Sequence, residues 1–327
     1  MKIVILDAYT TNPGDLDWNA FQELGELVAY DRTSPSEIVA RAFDADAVLT
    51  NKVVLNAETL QALPKLRYVG VLATGYNVVD LPCARDRGIV ATNVPQYSTE
   101  SVVQTTFAHV LNLASRVAQN SAAVKRGAWT RCADFTFSEG KLTELFGKRL
   151  GIVGFGTIGR RVAQVARAFG LDVVAYGPRL TPGEIVDGVL ATSLEELFAT
   201  SDVVTLHCPL TERTRGLVSS DRIATMKRGA LLINTGRGPL LDEQAVADAL
   251  RDGRLGGLGA DVLSTEPPQA SNPLLDAPNC YLTPHTAWAS FEARKRLIQI
   301  AADNLRSFVR LAELGQDPFR CDNCVDR

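Results

Sequence analysis

Short apolar runs alternate with amphipathic stretches over residues 1–98. Lys2–Leu6, Ala47–Thr50 and Tyr68–Leu72 are rich in aliphatic residues, as strands buried on both faces require. Asp15–Leu24, Pro35–Ala42 and Ala57–Leu63 carry helical spacing instead. Leu81–Arg87 does so too, and Gly88 stops it ahead of a further strand, Ile89–Thr92. Strands that alternate with helices predict a parallel sheet with helices on both faces.

A long helical segment runs from Thr99 to about Arg126, and residues 127–147, which include Trp129 and Phe135, read as irregular. A second alternating series starts at Lys148. RLGIVGF, LDVVAY, DVVTLH, ALLINT, LGGLGADV and NCYLTPH are its strands. Helices near Arg160–Phe169, Ser193–Ala199, Ser219–Met226 and Glu243–Arg251 lie between them, and Phe291–Leu311 is a last helix before a polar tail. The expected fold is α/β with two doubly wound parallel-sheet domains. The last helix and tail cannot form a domain alone, so residues 287–327 are expected to rejoin residues 1–98. Residues 99–286 then form an inserted domain.

Within the second series, Gly154-Phe155-Gly156-Thr157-Ile158-Gly159 is a GxGxxG between an apolar strand and an amphipathic helix. The pattern alone is weak in a chain with 25 glycines. In this context its first Gly permits a tight turn, its second lets the backbone approach a pyrophosphate, and its third lets helix and strand pack closely. The helix N-terminus adds N–H groups and positive dipole for the phosphates. A dinucleotide cofactor is therefore expected. NAD sites usually carry Asp or Glu about 20 residues further on, for the ribose. Here that segment reads Tyr176-Gly177-Pro178-Arg179, without a carboxylate. Arg179 either meets a 2′-phosphate or is a solvated loop charge. NAD and NADP both stay open, with a lean to NADP.

Three further segments follow predicted strands: Asn234-Thr235-Gly236-Arg237-Gly238, Asp261 to Pro268, and Thr283-Pro284-His285-Thr286-Ala287-Trp288. Open α/β sheets bind ligands at the carboxyl ends of strands, so Arg237, Glu266 and His285 are expected in one cleft. A planar guanidinium holds a carboxylate with two hydrogen bonds and polarises a neighbouring carbonyl. An imidazole gives and takes the proton that a ketone needs as hydride arrives. A carboxylate beside that imidazole fixes its tautomer. These three residue types fit hydride transfer to a 2-oxo acid.

Composition narrows the classes. The chain has 327 residues, 46% hydrophobic and 22% charged, with a formal net charge of −3. That profile is globular and gives no reason to expect a nucleic-acid partner. No apolar run reaches the ~18 residues of a membrane span. The start, MKIVILDAY, lacks a secretory signal, so a cytoplasmic location is the expectation. Six cysteines are scattered, which is no disulfide framework. Cys321 and Cys324 form a CxxC in the tail without a second ligand pair, so no metal is expected. Of three histidines, His207 reads as cofactor-wall packing and His109, inside the long helix, as core or interface.

GFGTIG, CPLT (Cys208–Thr211), NTGRG, DVLSTEPP and TPHTAW, in that order, resemble the D-isomer-specific 2-hydroxyacid dehydrogenase family over residues 1–310. LDAYTTNPGDLDW, LTNK, GVLATGYNVVDL and NVPQYSTESVVQ are most similar to its glycerate dehydrogenase (hydroxypyruvate reductase) branch. The resemblance implies a Rossmann-type cofactor domain inserted into a flavodoxin-like substrate domain, and a homodimer formed through the long helix. It implies Arg237 as carboxylate anchor, Glu266 as orienting partner and His285 as acid/base. Lys52, Trp288 and the backbone of Ala73, Thr74 and Gly75 would meet the substrate, hydroxypyruvate or glyoxylate. The cofactor surface would comprise Gly154 to Gly159, Tyr176 to Arg179, His207, Cys208, Pro209, Thr214, Thr235, Gly236, Arg237, Asp261 and His285. The chain departs from the family at Gly177, at Thr105, where relatives often carry His, and in its tail. Two other functions compete: the same chemistry on another 2-oxo acid or phosphite, and a dinucleotide-sensing, peptide-binding corepressor.

Overall fold

The computed structural model describes residues 1–325. The chain forms two units, Met1–Ser98 with the chain from Ala289 onward, and Thr99–Trp288. The second unit ends two residues beyond the expected 286. Ala287 belongs to it because its N–H donates to Asp261 and its carbonyl accepts from Ser101.

The first unit has five strands: β1 (Lys2–Ile5), β2 (Glu26–Ala29), β3 (Ala47–Thr50), β4 (Tyr68–Val71) and β5 (Val90–Thr92). All are parallel, in the order β2-β1-β3-β4-β5. This is the flavodoxin-like order, and its switch point lies between β1 and β3. Helices α1 (Ala8–Thr11), α2 (Asn19–Gln22), α3 (Ile38–Ala42), α4 (Ala57–Gln61) and α5 (Leu81–Asp86) link the strands. The helix expected over Asp15–Leu24 shrinks to α2, since Asn12 ties down the turn before it through Gly14, Leu16 and its own amide. β2 was not expected. As a half-exposed edge strand it lacks the apolar run of its neighbours.

The chain returns to this unit in α12 (Phe291–Glu313), which Ser290 caps. The helix buries Leu297, Ile298, Leu305 and Phe308, each contributing roughly 1.5–3 kcal/mol. Arg294 forms a two-pronged pair with Asp15 at 2.6 and 2.7 Å. Beyond α12 the tail is more than polar chain. Cys324 bridges Thr92 antiparallel, and the Val325 N–H donates to Ala91 O at 3.0 Å. The tail thereby covers the open edge of β5, and Cys321 is fully buried beneath it.

The second unit opens with α6 (Thr99–Ser115) and α7 (Val117–Lys125). These replace the single helix expected over 99–126. Arg116 breaks it at φ +51, with its guanidinium donating to Lys141 O and Asn279 Oδ1 and Asn112 Oδ1 accepting from Ala118 N. Next come β6 (Arg149–Val153), α8 (Thr157–Ala168), β7 (Asp172–Tyr176), β8 (Ile185–Val186) and β9 (Val189–Ala191). They are followed by α9 (Leu194–Thr200), β10 (Val203–Leu206), α10 (Ser220–Thr225), β11 (Ala230–Asn234), α11 (Glu243–Arg251), β12 (Leu255–Ala260) and β13 (Cys280–Leu282). The sheet order is β13-β12-β11-β10-β6-β7-β9-β8. Every pairing is parallel except the short β8–β9 hairpin, which residue spacing did not predict. The chain reverses direction across the sheet between β6 and β10, so ligand chemistry is expected at their carboxyl ends.

Candidate active site

The glycine loop lies at that reversal. Gly154 has φ +99, and a Cβ on it would meet the His207–Cys208 backbone at 2.5 Å. A Cβ on Gly159 would meet Gly154 O at 2.2 Å, so α8 packs against the loop only because residue 159 is Gly. Gly156 differs: a Cβ there would meet nothing within 4 Å. The protein does not need that position empty, but a pyrophosphate approaching the first turn of α8 does. The residues present therefore fit a dinucleotide. Phe155 is buried with the Arg160 guanidinium 4.8 Å from its ring centre, and Thr157 and Ile158 form the first turn of α8.

Tyr176 ends β7 and accepts from Gly154 N at 2.8 Å. Gly177 follows it, buried, and Pro178 and Arg179 are exposed. A Cβ on Gly177 would make only ordinary contacts, 3.6 Å or more, so no crowding explains the missing carboxylate. His207 lies across the loop, its N–H donating to Val153 O and its Nε2 at 2.9 Å from Thr205 Oγ1. Burial pushes its imidazole down to about 4, which makes it a neutral wall and not an acid. Burial also pushes the Cys208 thiol up to about 11, too high for a thiolate nucleophile. Pro209 is exposed. The Thr214 hydroxyl donates to Pro209 O at 2.8 Å and accepts from Thr211 N at 2.7 Å, so it shapes this turn.

The catalytic candidates stand on the next three strands. Asn234, fully buried at the end of β11, accepts from Gly236 N and donates to Arg237 O. This clamps the Thr235–Arg237 turn and leaves the Arg237 side chain exposed, with Nη1 donating to Gly236 O at 2.8 Å. Gly238 brings this turn against the chain after β12, since a Cβ on it would lie 1.9 Å from Leu263 C. From that chain, Leu263 N donates to Glu266 Oε1 at 3.0 Å, and Glu266 Oε2 lies 2.6 Å from His285 Nδ1. The imidazole and the carboxylate are thus paired. His285 itself has φ +53, a left-handed conformation uncommon for a side chain of its size. Its N–H donates to Asp261 O at 2.8 Å and Thr283 O at 2.9 Å.

Asp261, expected on the cofactor surface, has a structural task that the sequence did not show. It is 1% exposed, and its carboxylate accepts from Thr283 Oγ1 (2.5 Å), Thr286 N (2.9 Å) and Ala287 N (2.8 Å). It clamps the His285 loop through these three bonds. Trp288 is half-buried just beyond it.

In the first unit, Lys52 and the Ala73–Gly75 turn follow the adjacent strands β3 and β4. Asp7, after β1, accepts from Asn51 N (2.8 Å), Lys52 N (2.6 Å) and Val53 N (3.2 Å). Asn93 donates to Thr74 O at 2.7 Å, and Thr74 Oγ1 to Val94 O at 3.0 Å. Lys52 and Thr74 are exposed, and Ala73 and Gly75 half-buried. Asp7, Asn234 and Asn93 were missed from sequence, and all three perform one task. Each is a buried or part-buried polar side chain at or just after the end of a strand that fixes the backbone of a turn carrying candidate site residues. A polar residue directly after an apolar run, as in KIVILD and ALLIN, is the signal that marks the first two.

The chain is similar to known proteins along its length. Residues 107–287 match the family described as D-isomer specific 2-hydroxyacid dehydrogenase, NAD binding domain. A hydroxypyruvate reductase from Blautia hydrogenotrophica is 45% identical over 95% of this chain and 97% of its own. An acyclic imino acid reductase solved with NADPH and D-Arg superposes with a TM-score of 0.84 at 27% identity, over 99% of this chain and 100% of its own. A D-lactate dehydrogenase from Aquifex aeolicus, solved with NAD and lactic acid, gives 0.82 at 29% identity over 100% and 99%. The imidazole–carboxylate pair, the open Gly156 and these likenesses together make the chain a member of the D-isomer-specific 2-hydroxyacid dehydrogenases, an enzyme that works with NAD or NADP.

Proposed function

We propose that the chain reduces hydroxypyruvate, and more slowly glyoxylate, to the D-2-hydroxy acid, and that it prefers NADPH. The observation that carries the reading is the His285–Glu266 pair, 2.6 Å apart on a loop that three hydrogen bonds to the Asp261 carboxylate hold in place. The bound nicotinamide supplies the hydride. Glu266 engages Nδ1, so Nε2 is the atom that gives the ketone oxygen its proton and takes it back in the reverse direction. The Arg237 fork holds the substrate carboxylate and stabilises negative charge on the carbonyl oxygen. Trp288, just beyond the His285 loop, is a further substrate-binding candidate of the same unit, and Lys52 and the Ala73–Gly75 N–H groups are those of the other. The unit from Thr99 acts as the cofactor domain and the other as the substrate domain. Hydroxypyruvate is favoured by the similarity to the Blautia enzyme. NADPH is favoured because Gly177 offers no carboxylate to repel a 2′-phosphate and the exposed Arg179 is placed to attract one.

Nicotinamide absorbance, followed with hydroxypyruvate, glyoxylate and pyruvate against NADH and NADPH, tests this. Hydroxypyruvate with NADPH is expected to be fastest. No turnover with any pair, despite measured cofactor binding, overturns the reading in favour of another substrate or a sensor.

The proposal includes a cytoplasmic homodimer joined through α7 and the segment after it. Val117, Val124, Trp129, Phe135, Leu142 and Phe146 are all exposed there, Phe135 by 89%. Such apolar exposure is unusual on a monomer. Sedimentation is expected to give twice the chain mass of 35.3 kDa, and Phe135→Asp to lower it. A monomeric wild-type protein would remove the dimer from the reading. Among the described residues, no helix is long and apolar enough to cross a membrane.

A further inference from the structure

Helix α6 places three buried polar side chains against the loops of the active site. Ser101 Oγ donates to Ala287 O at 2.6 Å, Thr106 Oγ1 lies 3.0 Å from Thr235 Oγ1, and His109 Nε2 lies 3.3 Å from Thr283 Oγ1. They are 8%, 1% and 5% exposed. The same helix buries Val103, Phe107, Val110 and Leu113 in an apolar cluster, where aliphatic residues would pack without desolvating polar atoms. Thr235 precedes the Arg237 turn, and Thr283 and Ala287 flank His285.

The donors in the His109 link can be assigned. The Asp261 carboxylate only accepts, so Thr283 Oγ1 gives it its one hydrogen at 2.5 Å. Thr283 Oγ1 must then accept from His109, which makes that imidazole the neutral Nε2–H tautomer. Burial lowers the His109 pKa, against an opposing influence from Asp261, in keeping with a neutral ring. Asp261 passes the restraint on to Thr286 N and Ala287 N, the two amides after His285. The sheet makes room for the ring: a Cβ on Gly259 of β12 would lie 2.5 Å from His109 Cβ.

We infer that His109 is a positioning residue of the reaction, holding the His285 loop in place through Thr283 and Asp261. The inference rests on His285 as the acid/base. His109 touches neither substrate nor cofactor. It acts by limiting the travel of an imidazole whose proton transfer depends on sub-ångström placement.

His109→Leu fills a similar volume and removes only the donor. It is expected to lower kcat roughly tenfold, with little change in KM for hydroxypyruvate, in dinucleotide Kd or in Tm. His109→Gln, whose amide nitrogen reaches the place of Nε2, is expected to restore most of the rate. His109→Asn, which is shorter, is expected not to. In a Thr283→Val background His109→Leu should cost nothing more, because the link is already cut. Wild-type kcat in His109→Leu overturns the inference, as does equal loss with Leu and Gln, or independent losses from His109→Leu and Thr283→Val. His285→Ala, measured alongside, separates the two failures. If it retains turnover the acid/base reading falls, and if it is inactive while His109→Leu is unaffected only the positioning role falls.

Discussion

His285→Ala is expected to lower kcat by roughly 10²–10⁴-fold, the usual loss when a general acid/base is removed, and to leave dinucleotide affinity nearly unchanged. The size follows from how the side chain is held. Glu266 Oε2 fixes Nδ1 at 2.6 Å, and Glu266 is itself fixed by Leu263 N through its other oxygen. The His285 backbone is kept left-handed by bonds to Asp261 O and Thr283 O. Strained conformations of this kind persist where the surroundings over-determine them, and they cluster at functional sites. The truncation removes none of those bonds to the backbone, so the loop should keep its shape and lose only the proton carrier. Cofactor affinity, read by fluorescence quenching, should stay within a few-fold, since the glycine loop lies on β6 and α8 and not on β13. Equal kcat in wild type and variant would remove His285 from the chemistry.

The sequence marked candidate site residues more readily than the contacts that hold them. Arg237, Glu266 and His285 lie in the segments after β11, β12 and β13, three neighbouring parallel strands, so topology places those segments at the same end of the sheet. The glycine loop was legible because each Gly answers a separate steric demand. Local pattern failed wherever a long-range contact decides. β2 and β8 are edge strands too exposed to carry an apolar signature, and β8 has only two residues. The break at Arg116 depends on Lys141 and Asn279, which lie far along the chain. Asp261 was expected only on the cofactor surface, and its task as a loop clamp is visible only when β13 brings Thr283, Thr286 and Ala287 beside it. His109 is similar: periodicity places it on a helix, but only the packing of α6 on Gly259 gives it a partner.

The two later glycines of the cofactor loop should separate binding from folding. Gly156→Val is expected to leave Tm within a few degrees of wild type. The position has φ −85, which an L-residue adopts, and open space where a Cβ would go. The same side chain would stand where the backbone must approach a pyrophosphate. Overpacking of this kind costs about 1–3 kcal/mol, so dinucleotide Kd should rise by roughly 5–150-fold. Gly159→Ala should behave in the opposite way. Its methyl would lie 2.2 Å from Gly154 O, so α8 must move off the loop even with no ligand present. The same 1–3 kcal/mol then falls on the folded state and lowers Tm by about 2–12 °C. A calorimetric scan of both variants, with and without NADPH, distinguishes the roles. Gly156→Val should lose the ligand-induced rise in Tm but not the starting value, whereas Gly159→Ala should start low. If Gly156→Val keeps the full ligand-induced rise, the pyrophosphate does not lie over this loop, and the dinucleotide must be sought elsewhere along the carboxyl ends of the strands.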